Sequence, residues 1–572
     1  TDIASENGPI NSGSVIRNLG QLTVTGGTLE MTQMWNGNNA VIFNYNGGTI
    51  ASLSNASLSS GYGYDVFNYG ARIDTISNCT MEGSYGVNNR NLRGSNTAAQ
   101  GFNISAYGTI GTIEGSTFTV GQYAVYNGGR IDTLSGCTFT AHPDSAQADT
   151  LGNGSTARHG NTQCYTVMNS ANWWYDANYY KRVDDTDALT RTDTYLEDEQ
   201  YRPTINKIVD CTILAENTST SANYGYALYN AGIIGEISGT TEIKTYKYPN
   251  STAPITTSNY ALLNAGGIIK RIAGSVNVSA SNYALQNSGQ FATQIDYTYG
   301  NKVGGNITQQ VSTFGNPSKI ESISGGTFTA DASYALINYG YIPSITGGTF
   351  RANNNIIANA GDTASKSYTL IRRYSDNATA STKYYEQETY IRNNDYGSRI
   401  DSISGVTITT TNTNGYYAIA NNGYIGTLSG FTISSDSTRD ALDQALILNG
   451  DVRQSKYVVT SESTQSASGG YVMPRRWHYE YTPAVIDTIE NMSFIKTSKG
   501  YAFDNRGQIN TLQNSTIQAT QYALYNDYRG SNTTLDQLRY YSGATVFTTT
   551  RNNGSTLETN RTRTAANIGT IS

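Results

Sequence analysis

The chain is short of charged residues, histidine, cysteine and long apolar runs. Charged residues make up 14% of the 572 positions, against a usual share of about 25%. The net charge of -6 gives no basic surface that would favour a nucleic acid. The three histidines, His142, His159 and His478, are far apart and lack the spacing of metal ligands. No run of about 18 apolar residues occurs, so no membrane span is expected.

The same scarcity argues against most enzyme chemistry. Zinc, Ser-His-Asp and Cys-His mechanisms need a histidine close to other ligands or nucleophiles, and no glycine-rich loop leads into a helical segment as phosphate binding requires. The one dense acidic run, at 184–199, leaves two alternatives open, a Ca²⁺ site and a solvated insert. We predict a protein without catalytic residues, cofactor or bound metal.

Small polar residues and tyrosine take the place of charge. The chain has 58 glycines and 45 tyrosines but only 13 phenylalanines. This composition favours strands over helices, and 11% aromatic residues can support a packed interior. The sequence starts at Thr1 rather than Met, as expected of a secreted chain that has lost a signal peptide or of a fragment. We expect an extracellular or cell-surface location.

A motif recurs along the whole chain. It reads RIDTLSGCTFTA at 130–141, KIESISGGTFTA at 319–330 and RIDSISGVTITT at 399–410. Apolar residues flank the threonine on both sides, and this period-two alternation predicts a strand whose threonine faces outward. We place the outward position at Thr28, Ser57, Thr80, Thr117, Thr138, Thr212, Thr241, Val276, Thr327, Thr349, Thr407, Thr432, Ser493 and Thr516.

A second motif follows the first, as QYAVYNGGRI at 122–131 and SYALINYGYI at 333–342. Its asparagine recurs at Asn18, Asn46, Asn68, Asn127, Asn230, Asn264, Asn287, Asn338, Asn421 and Asn505. Asparagines stacked at a corner can hydrogen-bond to those above and below, and the glycine two residues later suits a positive φ. We therefore predict two structural ladders, one of Asn68, Asn127, Asn230, Asn338, Asn421 and Asn505 and one of Thr80, Thr117, Thr138, Thr327, Thr349 and Thr407.

Together the motifs form a unit of 21 to 25 residues at its shortest. One unit cannot bury its own apolar face, whereas stacked units can. Leucine-rich repeats have this length, but they need a leucine pattern and a helical leg that the serine, glycine and tyrosine here do not provide. We predict an all-β fold, a right-handed parallel β-helix of about 14–15 rungs that forms one domain over residues 1–572.

The two motifs resemble those of right-handed parallel β-helix repeat proteins, the pectate-lyase-like architecture of bacterial surface proteins, adhesins and phage tailspikes. The resemblance covers nearly the whole chain and concerns the fold. It implies little about activity, because this fold carries lyases, hydrolases and inert stalks alike.

Extra residues interrupt the repeat mostly at one place, after the corner asparagine. These inserts occupy 88–107, 170–203, 288–318, 360–398, 450–484 and 527–566, and several read as hairpins along one edge of the solenoid. Rungs and neighbouring strands share a spacing of about 4.8 Å, so a hairpin at every second rung would supply strands at the rung spacing. The hairpins therefore either join into a second sheet or remain separate loops.

The two ends of the sequence read as complementary parts of one rung. The last residues, NIGTIS, match the start of a rung, and GSVIRNLGQL near the beginning matches the second half. This pattern predicts head-to-tail polymerisation by strand addition; the alternative is a chain that lacks its native end caps. The expected interface residues are Thr1, Asp2, Ile3, Val15, Ile16, Asn18, Ile568, Ile571 and Ser572.

Cys137 and Cys211 occupy the same motif position in consecutive units. Stacked positions lie about 5 Å apart, which permits a disulfide by distance, while parallel stacking often gives poor geometry. A disulfide and a pair of free thiols therefore both remain open.

These features favour a non-catalytic extracellular structural protein, the subunit of a head-to-tail solenoid filament whose partners are copies of itself. The alternative is a β-helix that binds or cleaves carbohydrate, such as an adhesin, a tailspike or a polysaccharide lyase. Aromatic clusters in the inserts at 173–180 and 475–481 would then contact cell-surface glycans.

Overall fold

The computed structural model describes residues 13–31, 39–93, 104–142, 149–150, 156–157, 163–170, 180–183, 192–195, 202–217, 224–247, 259–288, 294–300, 306–312, 318–353, 355–360, 365–374, 384–393, 398–410, 417–435, 445–450, 454–461, 464–465, 471–482, 484–496, 501–520, 522–526, 531–542, 545–549, 557–563 and 567–572. This part of the chain consists of strands and turns and contains no helix. Three strands make one rung, which we call A, B and C in chain order.

The A strands carry the I-x-x-I motif, the B strands the outward threonine and the C strands the corner asparagine. The A strands are Gln21–Thr25, Thr49–Ser54, Arg72–Ser77, Thr109–Glu114, Arg130–Ser135, Thr204–Val209, Ile233–Ser238, Ile268–Ile272, Lys319–Ile320, Arg399–Ser404, Tyr424–Ser429, Val485–Glu490, Gln508–Gln513 and Asn567–Ile571. The B strands are Thr28–Met31, Thr138–Ala141, Thr212–Asn217, Glu242–Lys247, Asn277–Ala280, Thr407–Thr410, Thr432–Ser435, Ser493–Lys496 and Thr516–Ala519. The C strands are Ser14–Asn18, Ala40–Tyr45, Gln163–Asn169, Tyr224–Asn230, Tyr260–Ala265, Tyr283–Ser288, Tyr334–Asn338, Ile357–Asn359, Ile419–Asn421, Ala445–Asn449, Tyr501–Asn505 and Tyr522–Asn526.

Five longer strands run through a corner and so join the columns. Two of them combine A and B, namely Ser322–Ala330 and Tyr341–Ala352, and three combine B and C, namely Ser57–Tyr69, Thr80–Arg90 and Thr117–Gly128. Each rung pairs in parallel with the next, as Ile131 does with Ile205 and Phe139 with Ile213. One hydrogen-bonded network links 37 of these strands, and a further three form a parallel group of B strands. The predicted all-β parallel β-helix with hairpin inserts is confirmed.

The period-two pattern explains which residues face inward. Ile131, Leu134 and Phe139 are fully buried in one continuous apolar interior, whereas Thr138 between them is exposed. The glycine of the I-S-G motif is explained by the corner between A and B, where Gly115 and Gly136 have positive φ. Other rungs place asparagine there, which tolerates the left-handed region better than most residues.

The structure corrects three predicted positions. Thr212 pairs with Glu242 and Glu242 with Asn277, so the outward residues of these two rungs are Glu242 and Asn277 rather than Thr241 and Val276. The corner between A and B has one extra residue there, and Thr241 and Val276 are buried. Asn44, not Asn46, holds the corner position of its rung, because Asn44 pairs with Asn18 and Asn68, while Asn46 lies in the following turn.

Four inserts contribute strands to a second, antiparallel sheet of ten strands. These are Gln294–Gly300 and Asn306–Ser312, Ser365–Tyr374 and Tyr384–Asn393, Gln454–Ser461 with Thr464–Gln465 and Tyr471–Thr482, and Ser531–Ser542 with Thr545–Thr549 and Leu557–Arg563. The inserts leave after Asn287, Asn359, Asn449 and Asn526, which belong to every second rung. Two strands for every two rungs keep both sheets at one spacing. Of the two arrangements that the sequence leaves open, the structure has the joined sheet.

The remaining strands are short antiparallel pairs. They are Leu92–Arg93 with Ile104–Ala106, Asp149–Thr150 with Thr156–Ala157, and Tyr180–Val183 with Thr192–Tyr195. Within the described residues, no helix is long and apolar enough to cross a bilayer.

Candidate assembly interface

A chain of asparagine side chains runs through the solenoid from its first to its last described C strand. The Nδ2 of each asparagine donates to the Oδ1 of the asparagine in the next rung at 2.7–2.9 Å. The fifteen members are Asn18, Asn44, Asn68, Asn89, Asn127, Asn169, Asn230, Asn264, Asn287, Asn338, Asn359, Asn421, Asn449, Asn505 and Asn526. We call this chain the amide ladder.

Each interior amide of the ladder uses further hydrogen-bonding capacity. Asn127 Nδ2 also donates to the backbone carbonyl of Thr204 at 3.0 Å, and its Oδ1 accepts from the amide of Gly129 at 3.2 Å. Asn127 is fully buried, and a buried amide is stable only when its donors and acceptors are satisfied. The hydrogen bonds of the ladder therefore allow a column of polar side chains to be buried in the interior.

The sequence motif missed six members of the ladder. Five of them precede long inserts, so the isoleucine that ends the motif does not follow at the expected spacing: Asn89, Asn169, Asn359, Asn449 and Asn526. The sixth is Asn44, for which the motif indicates Asn46 instead. The signal that could identify them is the short apolar segment before each asparagine, because these segments align from rung to rung in the C strands.

The glycine two residues after the asparagine is needed because the backbone of the neighbouring rung lies too close for a Cβ. At most of these corners the φ of this glycine is not positive. A Cβ on Gly232 would lie 2.1 Å from the carbonyl oxygen of Pro203 in the rung below and 2.8 Å from Asn169 Nδ2. A Cβ on Gly423 would lie 2.1 Å from the carbonyl oxygen of Ser398. The expected positive φ occurs at Gly70 and Gly266 but not at Gly232, Gly340 or Gly423. The absent side chain is what lets the rungs approach.

The first described rung has open strand edges. Within the described residues, Ser14–Asn18, Gln21–Thr25 and Thr28–Met31 each pair with a strand on one side only. Ile16, Leu22, Val24, Leu29 and Met31 pack on the core but stay partly exposed. Nearby Val15 and Leu19 are 47% and 56% exposed. The apolar interior thus reaches the surface at this end.

The last described rungs have the same character. The strands Asn567–Ile571, Thr516–Ala519 and Tyr522–Asn526 each pair on one side only in the described part of the chain. Ile517, Ala519, Leu524 and Ile568 are partly exposed core residues, and Ile571 is 65% exposed. Val15, Leu19 and Ile571 are the exposed large apolar residues among the described ones, and all three lie at the two ends.

The predicted interface residues divide accordingly. Val15, Ile16 and Asn18 lie at the first end, and Ile568, Ile571 and Ser572 lie at the other. The amide of Ser572 donates to the carbonyl of Leu512 at 3.0 Å. Thr1, Asp2 and Ile3 fall outside the described residues.

The predicted threonine ladder lies on the outer face of B. Thr80, Thr117 and Thr138 pair in sequence, as do Thr327, Thr349 and Thr407. Thr80, Thr117 and Thr138 are exposed, and their side chains form no hydrogen bond to one another. The asparagines are thus joined through their side chains, whereas the threonines share only the register of their backbones.

Cys137 and Cys211 stack in adjacent rungs, directly before Thr138 and Thr212, and both are buried with free thiols. A hydrogen bond with Cys211, together with burial, raises the pKa of the Cys137 thiol.

Eight tyrosines stack on the outer face of C. They are Tyr64, Tyr85, Tyr123, Tyr165, Tyr226, Tyr260, Tyr283 and Tyr334, with successive ring centroids 4.7–5.8 Å apart. Burial raises the pKa of Tyr85 to about 12. Because the ring faces lie against one another, the column presents ring edges to its surroundings.

Two ionisable side chains occupy inward positions near the ends. Asp65 is fully buried, and its carboxylate oxygens have no hydrogen-bond partner. Burial raises the pKa of this carboxyl well above its usual value, the neighbouring Ser60 lowers it by less, and the nearby Glu82 adds a smaller increase. Lys496 is 3% exposed, and burial lowers the pKa of its ammonium group. Burial thus shifts the protonation equilibrium of both groups toward the neutral form.

No described group of three His, Cys, Asp or Glu side chains could hold a metal ion. The acidic run at 184–199 and the aromatic clusters at 173–180 and 475–481 have no described side chains. Comparison of the chain with protein-family models, with curated proteins and with solved structures finds no match.

Proposed function

We propose that the protein is a non-catalytic structural subunit that polymerises end to end into an extracellular β-solenoid filament. The observation that carries the proposal is the exposure of the apolar interior and of strand edges left unpaired at both ends of the described solenoid, on Ile16, Leu22 and Leu29 at one end and on Leu524 and Ile568 at the other. Exposed strand edges are templates for adding another chain.

The two ends match each other column by column. Strand C ends the described solenoid at Tyr522–Asn526 and begins it at Ser14–Asn18, and strand A ends it at Asn567–Ile571 and begins it at Gln21–Thr25. A second copy can therefore place its first C and A strands on the last C and A strands of this copy. A contact between two different surfaces that does not close into a ring generates an open filament.

The resemblance to pectate-lyase-like β-helices of bacterial surfaces and adhesins supports the extracellular location in this proposal. Carbohydrate binding or cleavage is the alternative function. The stacked tyrosines do not favour it, because ring faces that cover one another are not open to a sugar.

Electron microscopy and sedimentation of the full chain test the proposal. We expect unbranched fibres of single-solenoid width, with an axial repeat of about 70 Å for fifteen rungs. Discrete particles at every concentration would reject the filament. Depolymerisation of polysaccharides by the purified chain would support the alternative.

A matched pair of variants locates the contact. Ile571→Lys places a charge on an exposed residue of the last A strand and should abolish fibres without unfolding the monomer, because charge on an edge blocks strand addition. Thr117→Lys places the same charge on the exposed side of the solenoid and should leave fibres intact. Equal effects of the two variants would contradict assembly through the ends.

A further inference from the structure

The amide ladder has an unused donor at one end and an unused acceptor position at the other. Asn526 Oδ1 accepts from Asn505 at 2.7 Å, but its Nδ2 has no partner within the described residues and its side chain is exposed. Asn18 Oδ1 accepts from the amide of Gly20 at 3.2 Å. Interior members such as Asn127 accept a second bond, from the rung below, on the same oxygen.

Gly20 gives an independent indication. It stands two residues after Asn18, as Gly232 stands after Asn230 and Gly423 after Asn421. At those interior corners a Cβ would collide with a carbonyl oxygen of the rung below, whereas a Cβ on Gly20 would have nothing within 4 Å. The first rung therefore has a glycine where a rung below would need one to pack closely, although no such rung lies beneath it in the described residues.

We propose that the amide ladder continues across the junction between subunits, with Asn526 Nδ2 of one copy donating to Asn18 Oδ1 of the next. This inference rests on the proposed end-to-end assembly and specifies its partner, the first rung of a second copy. In the same register Leu22 covers Ile568, and Gly20 faces the backbone of the neighbouring copy as Gly232 faces Pro203.

The ladder makes the junction directional. Two copies meeting by their last rungs would bring two Asn526 NH₂ groups together, donor against donor. Two copies meeting by their first rungs would oppose two Asn18 carbonyl oxygens. Only the head-to-tail contact pairs a donor with an acceptor, so every subunit in a filament points the same way.

Asn526→Asp tests the bond across the junction. An aspartate at 526 keeps an oxygen that can accept from Asn505, but at neutral pH it cannot donate and sets a negative charge against the Asn18 oxygen. We expect the critical concentration for fibres to rise by about ten- to a hundredfold. Below about pH 4 the carboxylic acid is neutral and can donate again, so assembly of this variant should recover relative to the wild type.

Asn514→Asp is the matched control. Asn514 is exposed at the same end, with positive φ that aspartate tolerates, and it is not part of the ladder. It adds the same charge and should change the critical concentration much less, without recovery at acid pH.

Gly20→Ala tests the clearance separately. Its Cβ meets nothing within 4 Å, so the monomer should melt at the wild-type temperature, whereas fibre formation should be lost. Gly121→Ala is the control, because its Cβ would lie 3.7 Å from Ser84, an ordinary contact, and fibres should form as usual.

The outcomes separate the two proposals. A wild-type chain that never polymerises rejects the filament itself. Wild-type fibres together with normal assembly of both Asn526→Asp and Gly20→Ala would reject the ladder junction and leave the filament standing.

Discussion

The asparagine and threonine columns show how differently the two faces of one solenoid constrain the sequence. Each described C strand from Asn18 to Asn526 carries a ladder asparagine at the corner that follows it, while the outward B position holds threonine, serine, Glu242 or Asn277. The asparagines are mostly fully buried, whereas most of the outward B residues are exposed to solvent.

The difference follows from the cost of burying polar groups. Replacing one buried asparagine would leave a donor below and an acceptor above without partners, and each unsatisfied group costs about 1–3 kcal/mol. A threonine that faces water can be replaced because water satisfies whatever takes its place. A repeated residue at the surface of a solenoid therefore indicates strand preference, and one in its interior indicates an interaction between rungs.

Asn230→Leu should give the largest effect on this comparison. It removes the acceptor of Asn169 Nδ2 and the donor to Asn264 Oδ1, both at 2.8 Å, so we expect a loss of about 2–6 kcal/mol in the free energy of unfolding. Denaturant titration of the monomer measures it, with hydrogen exchange of the neighbouring rungs to show where protection is lost. An unchanged midpoint would mean that the ladder contributes nothing net.

Asp65→Ala sharpens the comparison, because Asp65 is an inward polar residue whose carboxylate, unlike the ladder asparagines, makes no hydrogen bond to the neighbouring rungs. We expect a gain of about 1–3 kcal/mol at neutral pH from removing an unsatisfied buried group, in a row that elsewhere holds Ala124 and Ala227. A carboxyl whose pKa is higher in the folded than in the unfolded state makes stability fall as pH rises above about 4, through the folded-state pKa.

Thermal unfolding across this pH range checks the sign. The wild type should lose stability as pH rises, and Asp65→Ala should lose less. Asp65→Asn is the control, because it removes the charge but keeps unsatisfied polar atoms, and should recover only part of the gain. A stability that rises with pH because of Asp65 would contradict the assignment.

Thr117→Val should have the smallest effect. Thr117 is exposed and its side chain has no hydrogen bond, so the change in the free energy of unfolding should stay within about 0.5 kcal/mol. The same denaturant titration used for Asn230→Leu measures both. A loss as large as that of Asn230→Leu would remove the distinction between the two columns.

The sequence predicts the fold well because each rung repeats one physical requirement. Ile131 and Leu134 face inward by the same alternation that turns Thr138 outward, and the spacing of the inserts is compatible with the second sheet without deciding between it and separate loops. Changes of one residue in corner length are harder to predict from sequence. An example is the corner between Ile237 and Glu242, which has one more residue than the corner between Ile208 and Thr212.

The candidate interface is only partly readable from sequence. The rung-like character of both ends can be predicted, including Ile16, Asn18 and Ile568. The open donor of Asn526 is hidden by the insert that follows it, and the meaning of Gly20 emerges only when its surroundings are compared with those of Gly232. The burial of Asp65 cannot be predicted in the same way, because the repeat motif does not show which C-strand residues of that rung point inward.

The second sheet also has a mechanical consequence. Its hairpins leave the solenoid from the rungs of Asn287 to Asn526, so within the described residues the later rungs are accompanied by a second extended hydrogen-bonded sheet and the earlier rungs are not. Under tension along the axis, the later half shares the load between both sheets. In the proposed filament, the rungs before Asn287 should therefore yield first under stretch, which would make the extension uneven along each subunit.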